Sequence, residues 1–108
     1  MKEIKMDNAD TKLNPWHPIK NSIDLKHLGK LAEEVNELGA AIARCIIQGV
    51  DECEPVTKKP NKVWLEQEIA DVLAGINLTI ERFKLDAKFI SERSLLKEKR
   101  LQEWHYMA

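Results

Sequence analysis

The chain has 108 residues, 44% of them hydrophobic and 32% charged, with a formal net charge of −1. This length predicts one domain with a single core. Because the positive and negative charges are nearly equal in number, the chain lacks the broad cationic surface that nucleic-acid binding requires. No apolar run reaches membrane-spanning length, and the N-terminus lacks the apolar stretch of a secretory signal, so we expect no membrane partner and a cytoplasmic location. Two cysteines, Cys45 and Cys53, lack the spacing of a metal site or a disulfide framework, which agrees with a reducing compartment.

The N-terminal residues 1–15 are polar and weakly patterned, and we predict a flexible arm there, followed by one helical domain over residues 16–108. In the segment NPWHP, two prolines hold the backbone extended and display Trp16 beside His17. One interpretation is that Trp16 closes the end of a helical bundle.

The first long helix is predicted to begin near Ser22, with Ser22 or Asp24 as its cap, and to end at Gly49. Its second half reads GAAIARCIIQG and is apolar or small on nearly all sides. Because an isolated surface helix is not stable with such a surface, we expect a homodimer with antiparallel helix packing, or a homotetramer.

Acidic residues mark the middle of this helix, in the sequence KLAEEVNELG. Glu34 and Glu37 are spaced i,i+3, so they are neighbours at the edge of the apolar stripe, and Glu33 lies beside them. Lys30 and His27 precede them by one to two turns. A single helical histidine is more often structural than a ligand, although His27 shares the side of Glu34.

A loop is predicted over residues 49–61, because this segment contains a glycine, two prolines and charges of both signs and has no helical or strand periodicity. Its Lys58 and Lys59 either form a solvated basic pair or approach a bound anion. A second long helix follows, from about Lys62 to Phe83, and it contains EQEIADVLAG. In that sequence Glu68 and Asp71 are again spaced i,i+3 at the edge of an apolar face.

A third helix is predicted from Asp86, its N-cap, to about Trp104. Arg93, Lys97 and Arg100 follow i, i+4, i+7 and share one semi-apolar side. They either face an anion, which the planar forks of the two arginines would suit, or pair with nearby glutamates at the surface.

Carboxylates from two helices that converge at the rim of a core repel one another unless a cation joins them. Because the donors are oxygen atoms only, the pattern favours Mg²⁺, Mn²⁺ or Ca²⁺ over zinc. The competing interpretation is that these are ordinary solvated charges on amphipathic helices. The ligand set predicted for the metal is Glu34, Glu37, Glu68 and Asp71.

These motifs resemble the signature of the all-α NTP pyrophosphohydrolases, a superfamily that includes MazG-like proteins, dimeric dUTPases and phosphoribosyl-ATP pyrophosphohydrolases. The signature is EExxE followed by ExxD, which here reads EEVNE from Glu33 to Glu37 and EIAD from Glu68 to Asp71. The resemblance extends over roughly residues 16–104. It implies an all-α, four-helix-bundle-like domain whose active site is completed in a homo-oligomer.

The resemblance also implies an activity, the Mg²⁺-dependent hydrolysis of a nucleoside triphosphate between its α and β phosphates. Glu33 or one of the metal ligands would then act as the base. The cations expected at the phosphates are Lys30, Arg93, Lys97 and Arg100, although Lys97 stands where many relatives have asparagine. Trp16 and His17 would border the base.

Other interpretations remain open at the level of sequence. A phosphoribosyl-ATP pyrophosphohydrolase has the same signature, and a noncatalytic helical dimer that binds metal or nucleotide would keep the same carboxylates. A di-iron bundle is disfavoured because the chain contains no Glu-x-x-His. The chain also has no Walker A loop, dinucleotide-binding glycine fingerprint or convincing nucleophilic triad.

Overall fold

A computed structural model of the protein describes residues 15–107, and over that range the chain forms three helices. They are α1 (Ser22–Gln48), α2 (Asn61–Phe83) and α3 (Ala87–Met107). The described residues contain no strand, only an isolated bridge between Cys53 and Pro60. The predicted all-α class is therefore confirmed, whereas the arm predicted over 1–15 lies outside the described residues except for Pro15.

The beginning of α1 differs from the prediction in its cap. Asn21, not Ser22 or Asp24, is the N-cap, and its Oδ1 accepts hydrogen bonds from the backbone N–H of Ile23 (2.9 Å) and Asp24 (3.1 Å). Asparagine, serine and aspartate cap helices about equally well, so sequence alone did not decide among neighbours. The end of α1 at Gly49 is as predicted, with φ of 110° and its N–H bonded to the Cys45 carbonyl at 2.8 Å.

α1 and α2 pack side by side as an antiparallel hairpin. Near one end, Arg82 Nε donates to Asp24 Oδ1 at 2.7 Å. Midway, a Cβ atom placed on Gly75 would lie 3.2 Å from Leu31 Cδ1, so the absence of a side chain permits the close approach of the helices. The buried apolar residues of the described chain are Ala41, Cys45 and Val72. This core is small for a domain of 12.5 kDa.

The connection between the two helices is ordered by hydrogen bonds to polar side chains. Asn61, only 1% exposed, donates from Nδ2 to Gln48 Oε1 (3.1 Å) and to the Gly49 carbonyl (3.0 Å). Glu54 accepts from the backbone N–H of Val56 and Thr57. These bonds lower the pKa of Glu54 and hold the turn in place.

The end of α2 leads into α3 through a tight turn. Lys84 is left-handed (φ 52°), and the Leu85 N–H bonds back to the Ile80 carbonyl at 3.0 Å, the pattern of a Schellman cap. Asp86 caps α3 as predicted, since its Oδ1 accepts from the Phe89 N–H at 2.9 Å.

α3 buries none of its described side chains. Its large apolar residues are exposed, among them Phe89 at 57% and Trp104 at 60%. In the part of the chain that the structure describes, no helix combines the length and the apolar composition needed to cross a membrane.

Candidate metal centre

The antiparallel hairpin brings the two acidic motifs opposite each other. On α1, one carboxylate oxygen from each of Glu33, Glu34 and Glu37 lies within 4.8 Å of the others. On α2, Glu68 lies near enough to Asp71 for that carboxylate to raise its pKa, and it shares a cavity lining with Glu37. Three carboxylates of α1 and two of α2 thus lie near one another at the rim of the core, and they include the four predicted metal ligands, Glu34, Glu37, Glu68 and Asp71.

This convergence changes the acidity of two of the four groups. Partial burial is the main reason that the pKa of Glu68 lies above its usual value, and the negative charges of Glu37, Asp71 and Glu34 raise it further. The pKa of Glu34 is also raised mainly by partial burial; Lys30 opposes this shift, and the negative charges of Glu37, Asp71 and Glu33 add to it. Its side chain is only 11% exposed. The site therefore resists holding its full negative charge without a cation.

Lys30 is the one cation within ion-pair distance of these carboxylates among the described residues. Its Nζ lies 2.9 Å from Glu33 and 3.8 Å from Glu34, and the hydrogen bond to Glu33 raises the pKa of the ammonium. Because Lys30 pairs with Glu33 and Glu34 only, it neutralises part of the cluster. The remaining charge and the oxygen-only donors fit a hard divalent cation such as Mg²⁺ or Mn²⁺.

Within one chain, the three cations of α3 lie away from the carboxylates of α1 and α2. Arg93, Lys97 and Arg100 are exposed, and no ion pair within residues 15–107 includes any of them. The surface pairing with glutamates that we considered from sequence is therefore not formed. Since α3 leaves the end of α2 without packing on the hairpin, one chain alone does not bring these cations to the carboxylates.

The other predicted site residues, Trp16, His17 and His27, lie at different positions along the chain before and within α1. Trp16 (76% exposed) and His17 precede α1. His27 donates from Nδ1 to the Ile23 carbonyl at 3.0 Å, which is a structural contact, and it also lines a cavity of about 530 Å³ with Lys30 and Glu33.

The two loop lysines are not equivalent. Lys59 Nζ donates to Gln67 Oε1 and lies 4.9 Å from the centre of the Trp64 ring, whereas Lys58 is exposed. Of the predicted basic pair, only Lys59 therefore approaches the helix that contains Glu68.

A second cavity, of about 320 Å³, contains two residues that we did not identify from the sequence. Arg44 and Trp64 line it together with Glu37 and Glu68, and the Arg44 guanidinium carbon lies 4.0 Å from the centre of the Trp64 ring. Arg44 is seven residues after Glu37, and Trp64 is four before Glu68. Extending each acidic motif along its helix face by one or two turns would have found them.

Comparison of the chain with protein-family models, with curated proteins and with solved structures gave no match.

Proposed function

We propose that the protein is a metal-dependent nucleoside triphosphate pyrophosphohydrolase, as its EExxE and ExxD motifs suggest by resemblance to the MazG-like superfamily. The observation that carries the proposal is the convergence of Glu34 and Glu37 of α1 with Glu68 and Asp71 of α2. Carboxylates from two facing helices, two of them with raised pKa values, form a site that gains from a divalent cation.

The expected reaction is attack of water on the α-phosphorus, with cleavage of the α–β anhydride bond to give a nucleoside monophosphate and pyrophosphate. The four converging carboxylates would hold Mg²⁺, which when bound neutralises phosphate charge and acidifies a coordinated water. Glu33, more exposed than Glu34 and paired with Lys30, or one of the metal ligands would accept the proton of the attacking water. Lys30 would then turn toward a phosphate oxygen as the charge of Glu33 is neutralised.

The larger cavity is a candidate for the nucleoside. Its volume of about 530 Å³ lies within the range of small-molecule sites, and it is bordered by Lys30 and Glu33 at the metal end and by Leu31, Gly75 and Leu78 between the helices. A base and sugar there would place the triphosphate beside the carboxylates. Trp16 and His17 remain candidates for contacts with the base.

We further propose that two copies of the chain form a four-helix bundle, as a homodimer or within a homotetramer. Large apolar side chains lie open to water in the described chain, among them Ile46 (77% exposed), Ile47 (81%) and Trp104 (60%), and burial of such surface is the main driving force for association. Exposed apolar side chains on α3 and on the second half of α1 are the surfaces to be covered. A second copy would also bring Arg93, Lys97 and Arg100 toward the carboxylates of its partner.

Product analysis tests the activity. The pure protein is incubated with a panel of common and modified NTPs and dNTPs, with Mg²⁺, with Mn²⁺ and with EDTA, and the products are separated by anion exchange. Metal-dependent release of monophosphate and pyrophosphate supports the proposal, whereas release of orthophosphate contradicts the predicted bond cleavage. If only phosphoribosyl-ATP is hydrolysed, the narrower alternative is correct. If metal raises the melting temperature and none of these substrates, phosphoribosyl-ATP included, turns over, the noncatalytic alternative is favoured.

A further inference from the structure

Arg44 is held in an unusual position beside the candidate metal centre. Its guanidinium lies 4.0 Å from the centre of the Trp64 ring, and Lys59 lies 4.9 Å from the same centre. Stacking on an indole fixes the plane of a guanidinium while leaving its edge free to donate hydrogen bonds. The arginine is therefore oriented before any ligand arrives.

Within residues 15–107, one nitrogen of this guanidinium lacks a hydrogen-bond partner. Arg44 Nη1 is buried, and it has no hydrogen-bond acceptor among the described residues. Leaving a buried charged donor unpaired is costly, and native proteins rarely do so outside functional sites. The neighbouring cavity offers the place where an acceptor would satisfy it.

That cavity joins Arg44 to the carboxylates. Its lining includes Glu37 and Glu68, and its volume of about 320 Å³ is at the low end for ligand sites, so it suits a small group better than a whole nucleotide. Two carboxylates would repel an anion by themselves. With a divalent cation between them, the same wall attracts an anionic oxygen that can also reach Arg44.

We infer that Arg44 binds a phosphate oxygen of a metal-bound phosphate ligand, with Trp64 holding the guanidinium in place. This inference rests on the proposed function, because it requires a cation on the facing carboxylates. It differs from the expectation drawn from sequence, in which the phosphate contacts come from Lys30 and α3. The additional cation lies on α1, seven residues after Glu37 and on the opposite side of the acidic motif from Lys30 along the sequence.

Titration calorimetry tests the inference with two probes, imidodiphosphate and inorganic phosphate, each added in the presence of Mg²⁺. Arg44→Gln is expected to weaken binding of at least one probe by about 10- to 100-fold, as for loss of a charged hydrogen bond. Its affinity for Mg²⁺ alone should not fall, because a positive charge beside the metal ligands is removed. A loss confined to imidodiphosphate assigns Arg44 to the leaving diphosphate, whereas a loss with both probes assigns it to any single phosphate group.

Two variants separate a ligand contact from a structural role. Arg44→Lys keeps the charge and the contact with Trp64 but not the planar fork, and it should show a smaller loss. Lys62→Gln removes a charge that pairs with Asp51 at the surface (3.1 Å), and it should bind both probes as the wild type does. If Arg44→Gln only lowers the melting temperature and binds both probes normally, the inference is wrong. If the wild type itself binds no Mg²⁺, the proposed function fails first.

Discussion

Asn61 links the two helices that hold the candidate site, and its replacement gives a sharp prediction about stability. In Asn61→Ala, the hydrogen bonds from Nδ2 to Gln48 and Gly49 are lost. Each is worth about 1 kcal/mol net, and removing the side chain also leaves a small void. The buried and unpaired Oδ1 is removed as well, which offsets part of the loss. We expect a net destabilisation of about 2 kcal/mol, or roughly 8–16 °C in melting temperature.

The assay is thermal and urea unfolding by circular dichroism at one fixed protein concentration, because oligomerisation makes stability depend on concentration. Asn77→Ala is the matched control, since Asn77 is an exposed asparagine in the same helix, and it should change stability by less than about 0.5 kcal/mol. Asn61→Asp should be worse than Asn61→Ala, because a carboxylate would then face two acceptor oxygens in a buried site. Equal stability of the variants at positions 61 and 77 would refute the reasoning.

Three further outcomes follow from the same structure. Glu68→Gln should raise the melting temperature of the metal-free protein by relieving repulsion between carboxylates, and it should abolish stabilisation by Mg²⁺. If the variant melts at a lower temperature than the wild type, and Mg²⁺ does not change the melting temperature of the wild type, the carboxylates do not form a metal site. Because the folded-state pKa values of Glu34 and Glu68 are raised, these groups stabilise the metal-free fold below the unfolded pKa of about 4.3, and this contribution is lost as pH rises through the raised values. The melting temperature measured in EDTA should therefore lose this contribution as pH rises from about 4.3, and the loss should be smaller in Glu68→Gln than in the wild type. Equal losses in the two proteins would contradict this prediction. Lys84→Gly should stabilise the protein by about 1 kcal/mol in urea unfolding, because glycine adopts the left-handed conformation without strain.

Much of the hairpin could be predicted from sequence because its signals are local. Helical periodicity, Gly49 and Asp86 fixed three boundaries, and the i,i+3 spacing located each acidic pair on its helix. What brings the pairs together is the antiparallel register, in which Leu31 lies against Gly75. A loop of suitable length makes that register available without specifying it.

The features that sequence missed depend on contacts between elements. Arg44 looks like an ordinary charge on a surface helix until Trp64 of the facing helix is placed beside it. Asn61 reads as the last polar residue of a loop, yet it is the most buried residue described, because the ends of both helices need its hydrogen bonds. Spacing along α1 places Arg44 on the face of Glu37. Its contact with Trp64, like the hydrogen bonds of Asn61, depends on how the two helices pack.

The position of α3 leads to the last prediction, a test of whether the site is shared between chains. In a twofold dimer every contact between subunits occurs twice, so each site would combine the carboxylates of one chain with the α3 cations of the other. Glu68→Gln and Arg100→Gln should each be inactive alone. Random reassociation after mild denaturation should restore about a quarter of wild-type activity, because half of the dimers are mixed and each has one intact site. If α3 served its own chain, mixing would restore nothing, and if Arg100→Gln alone were fully active, Arg100 would have no part in the reaction.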